Sequence, residues 1–164
     1  MQWHEERVVG RDMSAEGLLL PETTLARVEE MNILTSLAEF SRMPANWDGY
    51  GALPIDSETI GNCRVALPKL LRRAPAPDLA PKPNGTVSFE WSSNSGEAHL
   101  EIGKRRFSFF VKSSVGEAIL LEGGASDVPV ELGTLIAAIV FPPMRSVAAI
   151  TKLEYTAGHD RARN

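Results

Sequence analysis

The sequence predicts an α+β domain: N-terminal helices, a four-stranded antiparallel β-meander and a closing C-terminal helix. Three observations carry this. Apolar residues recur at helical spacing through the first half of the chain, the period changes to two after Asn84-Gly85, and a compact apolar stretch follows Gly123-Gly124. The 164 residues, 43% of them hydrophobic, suit one domain with a core of its own. We divide the chain into a flexible lead over 1–20, a single α+β domain over 21–141 and a mostly disordered tail over 142–164.

The lead mixes Trp3, His4 and charged clusters without a sustained period and offers at most a short strand at Arg7–Val9. The first helix starts at Thr23 or Thr24 as N-cap and places Leu25, Val28, Met31, Leu34, Leu37 and Phe40 on one stripe, running to about Arg42 before Pro44 stops it. The second begins with Asp56 or Ser57 as cap and turns Ile60, Cys63, Leu67, Leu70 and Leu71 inward. Pro68 is expected to break it into two pieces, because its ring lacks the N–H donor and clashes with the preceding turn. Ala74 to Pro83 holds four prolines and reads as an extended connector.

Beyond Asn84-Gly85, Val87, Phe89 and Trp91 alternate with Ser88, Glu90 and Ser92. Ala98, Leu100 and Ile102 alternate with His99 and Glu101, and Phe107, Phe109 and Val111 follow. With Gly103-Lys104 as a two-residue turn, Leu100 faces Phe107 and Glu101 faces Arg106. Ala118 to Glu122 supplies the fourth strand. Ser126 or Asp127, with Pro129 near the first turn, starts a last helix from Val130 to about Val140, apolar nearly all round and therefore buried. The tail carries four basic residues against two acidic and no period.

One loop stands out. Asn46-Trp47-Asp48-Gly49-Tyr50-Gly51-Ala52 lies between Pro44 and Pro54, with two glycines that reach positive φ, an aspartate able to close a turn on its own backbone, and two large aromatics. It serves either to cap a turn and lay both rings over the open end of the sheet, or as a recognition surface, since Trp and Tyr on a glycine-rich loop are favoured contact residues. We expect Trp47 to anchor, Asp48 to close the turn and Tyr50 to make contact.

A formal charge of -4 argues against a dedicated nucleic-acid binder, whose footprint is basic. Arg105 at the Lys104–Arg106 hairpin tip, with Arg64, Lys69, Arg72 and Arg73 on the second helix, offers a basic patch for phosphate, although such positions are ordinarily solvated charge. Glu90, His99 and Glu101 could supply acid–base groups or metal ligands, but pairing of Glu90 with His99 and of Glu101 with Arg106 accounts for them. Cys63, the single cysteine, lies on an inward stripe and reads as a small apolar residue; one cysteine and no apolar leader point to a reducing cytoplasm. No run approaches the roughly 20 apolar residues that span a bilayer. No H-E-x-x-H, paired Cys-x-x-Cys, P-loop or G-x-S-x-G pattern occurs, so neither cofactor nor metal is expected.

Asn46–Ala52 followed by Pro54, then the proline-rich connector, then Asn84-Gly85-Thr86-Val87-Ser88-Phe89-Glu90-Trp91, resembles a family of uncharacterised bacterial and phage-borne accessory proteins. In that family a Trp-Asp-Gly-Tyr-Gly-Ala loop precedes a strand ending in Glu-Trp; here Asn84 stands where Asp is common. The resemblance covers roughly residues 40–110 and implies a mobile-element setting such as regulation, antitoxin-like neutralisation or interference with host defence.

The expected function is a non-enzymatic protein-interaction module, inhibitory, antitoxin-like or regulatory, with Trp47, Asp48, Tyr50 and Arg105 as binding residues and no catalytic residue. A protein partner is expected and a homodimer stays open. The alternative is a small hydrolase or nuclease using Asp48 with Glu90 or Glu101.

Overall fold

The computed structural model describes residues 22–143 apart from residue 117; the lead over 1–20 and the tail beyond 143 lie outside the described residues. Helix α1 spans Glu22–Phe40, so Thr23 and Thr24 sit inside its first turn and are not its caps. Its buried residues are Ile33, Leu37 and Phe40, while Leu25, Val28 and Met31 are 47–63% exposed. The expected stripe holds at Leu34, Leu37 and Phe40 and fails at the three earlier positions for a geometric reason. A step of three residues falls short of a full turn by about 60°, so six positions at that spacing wind around the helix, whereas Ile33, Leu37 and Phe40 at steps of four and three hold one face. The helix closes with Ser41 and Met43 donating back to the Leu37 and Phe40 carbonyls, just ahead of Pro44.

Helix α2, Ser57–Leu71, is capped by Asp56, whose carboxylate accepts the Glu58 N–H at 2.8 Å. Pro68 lies within it and does not split it. The proline and Arg64, whose carbonyl loses its helical donor, both sit on the exposed side, where that carbonyl is open to solvent and is not left as a buried unpaired group. Ile60, Cys63, Ala66, Leu67 and Leu70 form its buried face, and Leu71 is half-buried.

The sheet has five strands in the order β1-β2-β3-β4-β5, all antiparallel: β1 Asp78–Pro81, β2 Val87–Ser93, β3 Gly96–Ile102, β4 Arg106–Ser113 and β5 Ala118–Gly124. The four-stranded expectation omitted β1, hidden in the proline-rich connector. Lys82 donates its N–H to the Thr86 carbonyl, which sets the alternation: Asp78 and Ala80 face β2, and Leu79 and Pro81 face outward. Pro81 therefore costs no ladder bond, because the position it occupies on this edge strand turns its missing N–H to the outside.

The β3–β4 hairpin turns on Lys104-Arg105, with Gly103 donating to the Arg106 carbonyl, so Ile102 faces Phe107, Leu100 faces Phe109 and Glu101 faces Ser108. The expected register was displaced by two residues. Because side chains alternate with period two, such a shift keeps every apolar residue on the same face, and patterning could not choose between the two registers. At Gly103 the hairpin passes close to Thr86, whose methyl would lie 3.2 Å from a Cβ placed there.

Helices α2 and α3 (Glu131–Ile139) cover one face of β2–β4, and α1 packs on α2 and β1. Phe89, Trp91, Leu100, Ile102, Phe107, Phe109 and Val111 meet Leu37, Leu67, Leu70, Leu132 and Ile136 in a single core. Trp91 stacks on Phe89 with ring centroids 6.4 Å apart and donates its indole N–H to the Pro75 carbonyl at 2.8 Å. A 3-10 turn over Ala125–Asp127 occupies the place expected for the α3 cap; neither Ser126 nor Asp127 caps α3, which starts from Val130 without a side-chain bond. Only one face of α3 is buried, since Thr134 and Ala138 are exposed.

Candidate functional site

The loop between α1 and α2 is built from its own side chains. Asn46 adopts φ 62°, and Gly49 and Gly51 adopt 79° and 96°, a left-handed sequence that few residues accept. Asn46 donates its N–H to the Ala52 carbonyl at 2.7 Å and accepts the Gly51 N–H on Oδ1 at 2.7 Å, closing the loop at its base. Asp48 Oδ1 accepts the N–H groups of Tyr50 at 2.8 Å and of Ala52 at 3.0 Å. These bonds, Tyr50's first, hold the Asp48 carboxyl below its usual 3.8.

The aromatics part company here. Trp47 is half-buried and donates its indole N–H to the Leu53 carbonyl at 3.2 Å, outside the core cluster. Tyr50 is 94% exposed. With its neighbours' backbone held inward by Asp48 and Asn46, the phenol is presented to solvent.

The loop is seated on the β1–β2 turn. Leu53 donates its N–H to the Pro83 carbonyl at 2.8 Å, and Gly85, at φ 84°, passes so near that a Cβ would lie 3.3 Å from the Pro54 oxygen. That turn is tied to the sheet through Glu101, whose Oε1 accepts from Thr86 Oγ1 at 2.6 Å and Asn84 Nδ2 at 2.9 Å. The two motifs quoted for the resemblance, about 100 Å of chain apart from Pro54 to Asn84 if extended by about 3.3 Å per residue, are thus one assembled unit.

Glu101 accordingly does not pair with Arg106, which binds Glu122 at 2.9 Å. The Glu90–His99 pair forms as expected, at 3.3 Å across directly opposed residues, and Glu90 also takes Lys82 at 3.2 Å and the Ser88 hydroxyl at 2.9 Å. Hydrogen bonding lowers both carboxyls below their usual 4.5, Ser88 first for Glu90 and Thr86 first for Glu101. The three carboxylates of the hydrolase alternative are each engaged locally, Asp48 by its own loop and the two glutamates on the far face of the sheet. Among the described residues no three His, Cys, Asp or Glu side chains are grouped to hold a metal ion. Cys63 is fully buried and its thiol is pushed up to about 12 by burial, as befits a core residue.

Arg105 is exposed at the hairpin tip. The tip docks on the start of α2, where Lys104 binds Asp56 at 3.1 Å and Asn62 donates to the Gly103 and Lys104 carbonyls. No hydrogen bond or ion pair among the described residues joins Arg105 to Trp47, Asp48 or Tyr50. Lys69, another member of the expected basic patch, donates to the Val128 carbonyl. Sequence reasoning missed Asn46 as a left-handed loop closer and Glu101 as the anchor of the turn beneath; Asn followed by a glycine-rich run was the available signal for the first.

Acid should loosen this unit. Asp48, Asp56, Glu90 and Glu101 all have folded pKa values below their usual ones, so each contributes stability above that value and loses it as pH falls through the folded one. Melting temperature is therefore expected to be flat near neutral pH and to fall below about pH 4.5, with Glu101→Gln showing a shallower fall than wild type. A parallel fall in the two proteins would remove Glu101 from this account.

Fold and loop together define a class: an α+β domain bearing an internally hydrogen-bonded, aromatic-bearing loop. Comparison of the chain with protein-family models, with curated proteins and with solved structures gives no match. Among the described residues no helix is long and apolar enough to cross a membrane.

Proposed function

We propose that the protein is a non-enzymatic protein-interaction module, inhibitory, antitoxin-like or regulatory in action, that engages its protein partner through the Trp47–Tyr50 loop. The mobile-element setting comes from the resemblance described above. The observation that carries the reading is the 94% exposure of Tyr50 on a loop whose neighbouring polar groups are satisfied internally. A preorganised aromatic contact loses little conformational entropy on binding, the condition under which single residues become dominant contributors to an interface.

The test pairs melting with affinity for a partner retained from host lysate and then purified. Tyr50→Ala should melt within about 0.5 kcal/mol of wild type and bind the partner at least about 30-fold more weakly, equivalent to about 2 kcal/mol. Trp47→Ala should cost about 1–2 kcal/mol of stability, less than the roughly 3–5 of a fully buried ring, because it is only half-buried. Asp48→Ala should weaken both properties by releasing the loop. Wild-type affinity in Tyr50→Ala would refute the contact role.

A further inference from the structure

The two edges of the sheet are built differently. On β1, four residues long, the outward-facing positions are Leu79 and Pro81, and Pro81 has no N–H to offer. Short length and proline are devices by which a solvated edge avoids further pairing. On β5, seven residues long, Ala125 donates to the Arg105 carbonyl, which places the odd-numbered residues of the strand against β4 and turns the backbone groups of Ala118, Leu120, Glu122 and Gly124 outward. None of these is proline or lysine, and the strand carries no basic residue at all.

The side chains of β5 are apolar on both faces. Ile119 and Leu121 point to the helix side but lie beyond the helices, 37% and 40% exposed. Leu120, 73% exposed, stands beside the half-buried Phe110 on the other face. Among the described residues no strand pairs with this edge, and an edge that turns backbone groups outward and carries apolar side chains on both faces is a template for another strand.

We propose that β5 is the interface for a second copy of this chain, joined antiparallel about a two-fold axis through Leu120, so that two five-stranded sheets become one of ten strands. The strand is complementary to itself in this register. Leu120 faces Leu120 of the partner subunit, Ile119 faces Leu121 of the partner subunit, and the outward backbone groups at 118, 120 and 122 meet their own kind with matched alternation. Charge agrees as well. Ala118 faces Glu122 of the partner subunit, and Lys112, exposed and without an ion pair among the described residues, stands directly beside Ala118 on β4. Its ammonium reaches across the small alanine to that carboxylate, which in the isolated chain is paired, among the described residues, with Arg106. Centring the axis on Ile119 or Leu121 sets Leu120 against Ala118 or Glu122 and loses the leucine pair. The inference stands apart from the reading of the Trp47 loop, which lies on a different part of the domain.

The experiment uses the full chain and two variants. Sedimentation of wild type from about 1 to 100 µM should show a dimer that dissociates on dilution, a range that brackets interfaces of modest size. Leu120→Pro removes an outward N–H but none of the bonds to β4; it should sediment as a monomer with an unchanged circular dichroism spectrum. Leu120→Cys should cross-link to a covalent dimer with a short bis-maleimide, because directly opposed residues have Cβ atoms about 5 Å apart, within the reach of such a linker. Leu53→Cys, at a comparably exposed leucine, should not, and Cys63 is buried and cannot confuse the result. If Leu120→Pro fails to fold, the cross-link alone decides. A monomer throughout the range, a dimer that survives Leu120→Pro, or a monomer whose Leu120 amide is protected from exchange by another segment of its own chain would each overturn the proposal.

Discussion

Replacing Phe89 with alanine is expected to destabilise the domain by about 3–5 kcal/mol and to lower its melting temperature by about 10–15 °C. Phe89 is fully buried at the middle of β2, faces Leu79 on one side and Leu100 on the other, and stacks on Trp91. Removing its ring loses the transfer free energy of the side chain and leaves a cavity walled by secondary structure on both faces, which cannot collapse freely. Phe110 provides the comparison. It is half-buried on the far face of the sheet beside Leu120, and its truncation should cost about 1 kcal/mol. Denaturant melts of the two variants check the difference; equal losses would mean that the core is not where the structure places it.

Placing valine at Gly133 is expected to cost about 2–3 kcal/mol. Gly133 is buried in α3 where that helix crosses α2, and a Cβ there would stand 2.9 Å from the Leu70 carbonyl oxygen and 3.4 Å from Arg73 Cβ. Backbone cannot yield as a flexible side chain can, so α3 must lift away from α2 and uncover Leu132 and Ile136. The sign of the alanine substitution isolates this effect. In an exposed helical site glycine to alanine stabilises by about 0.5–1 kcal/mol, and Gly61 of α2, with nothing within 4 Å of its Cβ position, should show that gain. Gly133→Ala should destabilise instead. A gain at both positions, read from melting curves, would exclude a close helix crossing at Gly133.

Alternating positions such as Val87, Phe89 and Trp91, or Ala98, Leu100 and Ile102, assign strand and inward face without any tertiary knowledge, because the pleat admits only two sides. The Asp56 cap, the Glu90–His99 pairing and the turn-closing role of Asp48 were equally legible, each being a bond between neighbours in sequence or between strands already paired. All are decided within a few residues or by one alternation, and local chemistry is enough.

What lay beyond the sequence is whatever depends on a distant surface. Strand β1 exists because β2 offers it a ladder that Pro81 need not complete, and the β3–β4 register is held by Asn62 and Asp56 from α2, which a two-residue shift of the hydrophobic pattern cannot sense. The outward half of α1 and the uncovered leucines of β5 carry apolar residues that composition alone would place inside. Only the packed arrangement, in which α2 and α3 cover β2–β4 and stop short of β5 while α1 packs on α2 and β1, decides which of them are buried and which stay exposed, because burial is a property of the whole assembled surface.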